Sequence, residues 1–255
     1  FIDYEGSPQM DRLAEGANSL YASPSAEFPL GLDWQGRDIL SHIVYGGRIL
    51  IITSLQAGLF STVIAVALGS LAALGGDRID GMLNGIANLI LTIPNFPLLL
   101  VLASIINFNS NVMLAVLLAA LTWPGLMRSI RAQVLSLRER DYVEAAVALD
   151  LGLTHIILRE VFPNMISYIA INFIFAVRSA MYSLVGLVIL GMVPLKEPDW
   201  GIMIWNAQTR GAFYNTDSLW MALAPITAIA LFQLSLILFT RSLEEMFNPR
   251  LRQGL

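Results

Sequence analysis

The chain of 255 residues contains no cysteine, which excludes a disulfide framework, a thiolate metal site and a cysteine nucleophile. Its two histidines, His42 and His155, stand far apart and in no metal-ligand spacing, so no metal site is expected. Charge is scarce as well. Only 13% of residues are Asp, Glu, Lys or Arg, against about 25% in a soluble domain. The net charge of -4 supplies no basic face for a nucleic acid, and no such partner is expected. The long uncharged stretches hold no carboxylate to carry a proton or ion, which disfavours a self-contained secondary transporter or channel. They hold serines such as Ser61, Ser104 and Ser183 without a base beside them, which disfavours an intramembrane enzyme. The phosphate-cradling pattern Gly-x-x-x-x-Gly-Lys-Ser/Thr is missing too, so this polypeptide is expected to hydrolyse no ATP itself.

What the chain has in abundance is apolar surface: 56% of residues are hydrophobic and the mean hydropathy is +0.67. A helix rising 1.5 Å per residue needs about 20 apolar residues to cross hydrocarbon. Ile49–Leu74 is the first such run. Gly81–Met127 is free of charge and long enough for two crossings, with a polar turn at Asn107-Phe108-Asn109-Ser110-Asn111. Val161–Leu195, interrupted only by Arg178, and Ser218–Thr240 complete five spans in an all-α, polytopic membrane protein. Gly58, Gly69, Gly85, Gly186 and Gly191 read as close-packing positions between helices. Pro94 and Pro97 break the ladder of the second span. Arg178 is costly in lipid, so it is expected to face a pathway or a helix interface.

Basic residues accumulate in cytoplasmic loops. Arg78, Arg128, Arg131, Arg138, Arg140, Arg159, Arg241, Arg250 and Arg252 fall on one side, and Arg12, Arg37, Lys196 and Arg210 on the other. The first side is therefore expected inside. Residues 1–48 become an extracytoplasmic segment, 49–240 a transmembrane domain with a cytoplasmic loop at 128–163, and 241–255 a cytoplasmic tail. No basic flank followed by an apolar core marks a signal peptide at the start. The chain opens on Phe1 rather than Met, and a segment upstream of it is expected.

The loop 128–163 carries the most specific pattern. Tyr142-Val143-Glu144-Ala145-Ala146-Val147-Ala148-Leu149 combines helix formers with small side chains, suited to lie in another protein's groove. Asp150-Leu151-Gly152 interrupts it, Gly152 being able to end a helix. Thr154 is placed to cap a second short helix over His155 to Val161, which Pro163 is expected to stop.

The Glu-Ala-Ala triplet, the following turn and the proline resemble the signature loop of ABC-type importer permeases. More narrowly, the chain is similar to the second permease subunit of dipeptide, oligopeptide and nickel importers. Gly31-Leu32-Asp33-Trp34-Gln35-Gly36-Arg37-Asp38, Tyr45-Gly46-Gly47-Arg48, Trp123-Pro124-Gly125, Asp199-Trp200-Gly201-Ile202-Met203 and Asn248-Pro249-Arg250-Leu251-Arg252 extend the likeness over nearly the whole chain. The resemblance implies alternating access driven by ATP, with ATP and magnesium held by partner subunits. Those partners would be a second homologous permease, two ABC ATPases and an extracytoplasmic solute-binding protein, all assembled in a prokaryotic inner membrane with its lipids. Glu144, Ala145, Ala146, Asp150, Gly152 and Pro163 would couple to the ATPases, and the carboxyl terminus would be cytoplasmic. Family members import peptides, nickel complexes or some oligosaccharides, and peptide is the first expectation. A sixth span upstream of Phe1 is also implied. Two departures stand out: Asp150 occupies the family's glycine position, and Leu32 replaces its usual threonine.

Overall fold

Asp38 decides where the first helix begins. Its carboxylate accepts the N–H groups of Leu40 and Ser41, both at 3.1 Å, and the Ser41 hydroxyl at 2.6 Å, which satisfies donors that a helix start leaves free. From there the computed structural model describes residues 21–106, 108, 110–193, 198–214, 216 and 218–247. The first 20 residues with Arg12, Asn107 and Asn109 of the polar turn, the loop end at Leu195 and Lys196, and the Asn248–Arg252 motif with most of the 241–255 tail lie outside the described residues.

Helix α1 spans Ile39–Leu74, α2 Asp77–Thr92, α3 Asn95–Ile105, α4 Asn111–Arg138 and α5 Asp141–Ala148. A single turn, α6 (Leu153–His155), passes through a π-helical stretch, Ile156–Val161, into α7 (Phe162–Ile189). Helix α8 (Trp200–Thr209), a 3-10 turn at Ala212–Tyr214 and α9 (Leu219–Phe247) follow. Among the described residues there is no strand, only an isolated bridge between Leu32 and Asp38.

Four helical stretches are long and apolar enough to cross a membrane, and α2 with α3 makes a fifth span if taken together. The all-α polytopic expectation therefore stands, and the charge-free run Gly81–Met127 does divide in two, but its first part is not a straight rod. It breaks at Ile93 and Pro94 with a bend of 83°, because Pro94 supplies no N–H and pushes the residue before it out of helical geometry. Helix α1 starts ten residues before the charge-free run and carries Arg48 within it. At 36 residues it is about 54 Å long, more than the hydrocarbon needs, since a helix requires hydrogen bonds and not apolarity to continue.

The chain divides into two compact units, residues 1–52 with 181–235 and residues 53–180 with 236–255. In the first, three of the sequence motifs meet. Asp33 accepts the N–H groups of Gln35 and Arg37 and pairs with the Arg37 guanidinium at 2.8 Å. Gly31 sits at φ +79°, where an added Cβ would fall 2.4 Å from the Ala22 carbonyl, so both the turn and the space demand glycine. Leu32, the departure from threonine, buries its side chain to 5% exposure. Trp200 donates its indole N–H to the Ile43 carbonyl at 2.8 Å, and the ring lies so close on α1 that a Cβ at Gly47 would stand 2.4 Å from it. Asp199 caps α8 by accepting the Gly201 N–H at 2.7 Å. Arg210 stacks over the Trp34 ring, 3.0 Å from its centre.

In the second unit α1 packs closely on α4 and α7. A Cβ on Gly58 would lie 2.5 Å from Val177 Cγ2, and one on Gly69 would lie 2.8 Å from the Met127 carbonyl, as expected of close-packing glycines. Gly85 is different. A Cβ there would meet nothing within 4 Å, so the packing role expected for it is not seen. Gly191, at φ +69° just after α7, serves the helix end instead.

Candidate functional site

The last turn of α4 brings Arg138 and Glu139 to the helix end, and the chain turns sharply, with the Arg140 N–H bonded to the Leu137 carbonyl at 3.1 Å. Arg140 then opens α5 with extended backbone and no side-chain cap. Asp141 and Glu144 occupy the first turn of α5, where carboxylates compensate the exposed positive end of the helix dipole. Three-residue spacing puts Val143 and Ala146 on one face, and both are buried. They join a core with Ala72, Ala73, Met127, Ile130, Val134, Ile156 and Val161. Glu144, Ala145, Val147 and Ala148 face outward. The small outward side chains leave an open groove of about 540 Å³ between α4 and α5, lined by Leu135, Arg138, Glu139, Glu144, Val147 and Ala148.

Helix α5 ends in a fully formed Schellman motif. The Asp150 N–H bonds the Val147 carbonyl at 3.0 Å, and the Leu151 N–H bonds the Ala146 carbonyl at 3.2 Å, the two bonds that define this cap. The left-handed residue it requires is Asp150, at φ +52°. The turn thus forms where the family glycine would place it, not two residues later. Gly152 adds a second reversal at φ +76° and stands at the N-cap of α6, which corrects the capping role expected of Thr154. The reason is local: with Gly152 in that conformation, helical geometry already starts at Leu153.

The role expected of Pro163 in stopping this helix is also corrected. The helix runs through it into α7. The π winding over Ile156–Val161 precedes it directly, and the wider turn relieves the clash that a proline ring makes with the carbonyl four residues back. Asn164 Nδ2 donates to the Glu160 carbonyl at 2.7 Å, and His155 and Glu160 approach to 3.9 Å across the same turn. The segment from Leu153 is therefore one continuous helix with the membrane-length stretch that ends at Ile189.

Of the residues singled out from sequence, Glu144, Ala145, Asp150, Gly152 and Pro163 are exposed along this segment, while Ala146 is at 4% exposure inside the core. Arg178 is not among the groove residues. It is half-buried on α7, its guanidinium 5.9 Å from the centre of the Phe175 ring one turn back. Asp80 was missed by sequence reasoning. Its carboxylate forms a bidentate ion pair with Arg131, joining α2 to α4, and also accepts the Asn84 side-chain amide at 2.6 Å. Arg138 reaches the Ala73 carbonyl at 3.5 Å, and Tyr168 donates to the Ser129 carbonyl at 3.3 Å, so α1, α4 and α7 are all tied beside α5.

The family described as binding-protein-dependent transport system inner membrane component matches residues 65–253. The chain belongs to that family. As an inner-membrane component it is a multi-pass permease of an ABC importer, and the α4–α5 groove and the continuous α6–α7 helix fall inside the matched region. A protein of Brucella ovis, provisionally named a peptide permease, is 34% identical over 235 residues, covering 91% of this chain and 76% of its own length. A peptide transport system permease of Brucella suis, also provisionally named, is 26% identical over 233 residues, or 91% of this chain and 77% of that one. The di/tripeptide transport system permease DppC of Pseudomonas aeruginosa is 27% identical over 253 residues, covering 98% of this chain and 82% of its own.

Proposed function

We propose that this permease forms half of the translocation pathway of an ATP-driven importer of di- or oligopeptides and receives the ATPase stroke through Glu144 and Ala145. The observation that carries the coupling role is the division of α5 into two faces: Val143 and Ala146 anchor it in the core, and Glu144, Ala145, Val147 and Ala148 stand free beside a groove. A helix anchored in this way transmits a push instead of absorbing it. The continuous π-to-α passage from Leu153 to Ile189 would carry that push into the membrane. Ala146 then acts as an anchor, with Asp150 and Gly152 shaping the turn and Pro163 riding on the lever.

The other parts of the machine follow from this reading. Two ABC ATPases would hold ATP and magnesium and seat on the groove, a second homologous permease would complete the pathway, and an extracytoplasmic binding protein would deliver solute. This chain itself would catalyse nothing, and its carboxyl terminus would lie in the cytoplasm. The peptide assignment rests on the names of the three relatives. The test is purification of the full-length protein in mild detergent, identification of copurifying chains, and uptake of a radiolabelled tripeptide by vesicles holding the complex. Recovery of a second permease and ATPases with ATP-dependent tripeptide uptake supports the proposal. Recovery of the chain alone, with uptake driven by an ion gradient, overturns it.

A further inference from the structure

Helix α2 has three faces, and only two have an obvious neighbour. Leu83 and Ala87 are buried in the core with Met127, Ile130 and Val134. Ile79, Met82, Ile86 and Leu89 are apolar and between 37% and 73% exposed, as lipid contact requires. The third face is polar. Asn84, Asn88 and Thr92 recur at four-residue spacing and so stand in one line along the helix. Asn88 and Thr92 are exposed, and a Cβ on Gly81 or Gly85 beside them would meet nothing within 4 Å. Asn88 lies about 15 Å of helical rise beyond Arg78, near the middle of a hydrocarbon layer about 30 Å thick.

Polar side chains at that depth do not face lipid. Among the described residues the Asn88 and Asn95 carboxamides have no hydrogen-bond partner, and Thr92 bonds only the Asn88 carbonyl of its own helix. The break adds backbone groups to the same surface. Pro97 has no N–H for the Ile93 carbonyl, and every residue from Leu91 to Pro97 is exposed. A broken helix is tolerated in a membrane only where protein or a water-filled cavity meets the freed groups. Past the break, where the chain turns by 83°, Asn95 is exposed as well.

We infer that the Asn84–Asn88–Thr92 face and the exposed break up to Asn95 line the aqueous path through which the solute passes. The carboxamides both donate and accept, which suits a solute carrying peptide groups. This inference rests on the importer reading. Residues 1–255 hold no cysteine, so each introduced thiol is the only one among them. In the full chain in its native membrane, Asn88→Cys, Thr92→Cys and Asn95→Cys are compared with the lipid-face variants Ile86→Cys and Leu89→Cys, and with Asp77→Cys at the aqueous end.

With a membrane-impermeant maleimide applied to sealed vesicles of both orientations, the polar-face cysteines are expected to label at least ten-fold faster than the lipid-face pair. Their labelling is also expected to change when ATP and trialanine are supplied. Labelling of Asn88→Cys and Thr92→Cys as slow as that of Ile86→Cys, with Asp77→Cys reacting freely, overturns the inference and places the face under lipid or a partner helix. Fast labelling in vesicles that take up no trialanine upholds the path and removes the peptide assignment instead.

Discussion

Two aspartates sit in conformations or surroundings that aspartate does not favour. Asp150 holds the left-handed position of the Schellman motif at φ +52°, which costs an L-residue about 1–2 kcal/mol and aspartate somewhat less. Asp150→Gly is therefore expected to raise stability by about 1 kcal/mol, measured as a rise of a few degrees in thermal unfolding in detergent. A fall would show that the carboxylate makes a contact worth more than the strain. Asp199 is fully buried, and its Oδ2 has no partner among the described residues. Burial pushes its pKa up from 3.8 to about 6, against the backbone N–H groups of Gly201 and Ile202, which favour the charged form. The folded state thus holds the proton more tightly than the unfolded state. The associated stability is complete below 3.8 and is lost as pH rises through about 6. The loss amounts to about 3 kcal/mol. Asp199→Asn keeps an acceptor for Gly201 and is expected to unfold at higher temperature than the parent at neutral pH, with a flatter decline above pH 4. An unchanged pH profile would show that Asp199 is not the group that titrates.

At the scale of elements, the motifs that looked separate in sequence prove to be contacts. Gly47 is required because the Trp200 indole, held by the Ile43 carbonyl, fills the space where a side chain would go. Gly47→Ala is expected to destabilise the protein by about 1–3 kcal/mol through overpacking, read from thermal unfolding. An unchanged melting point would mean that the ring moves aside freely. The same scale shows where local signals mislead. A proline normally ends a helix, and residue type alone places the end of the second short helix at Pro163. The π stretch that absorbs the ring has no pattern of its own, because it differs from an α-helix by the register of its hydrogen bonds and not by residue type. Thr154 likewise is a good capping residue, but Gly152 had already turned the chain into the helix. Asp150 is the opposite case: its geometry was uncertain from residue type alone, and the bonds to Val147 and Ala146 settle the turn in the ordinary place.

For the whole molecule, the spans were legible because hydrocarbon imposes length and apolarity directly on the sequence. The bend between α2 and α3 was legible as a break at Pro94 and Pro97 but not as an angle of 83°, which depends on packing. Glu144 and Ala145 were expected from the sequence on a docking face, and both are exposed. The buried role of Ala146 was not expected, because an alanine suits either face and only the core around Val143 decides. The pair Asp80 and Arg131 was invisible for a similar reason: each looks like a solvated charge until the fold brings α2 to α4. Together these features make α5 an anchored helix with a free face, where we propose that ATP hydrolysis enters the permease. The most direct test is Glu144→Arg in the complete complex, reconstituted in vesicles with the parent as reference. Copurified ATPase and ATP-dependent tripeptide uptake are expected to fall at least ten-fold, while the permease stays in the membrane at its normal level. Full retention of both ATPase and uptake would show that the free face of α5 does not receive the ATPase stroke.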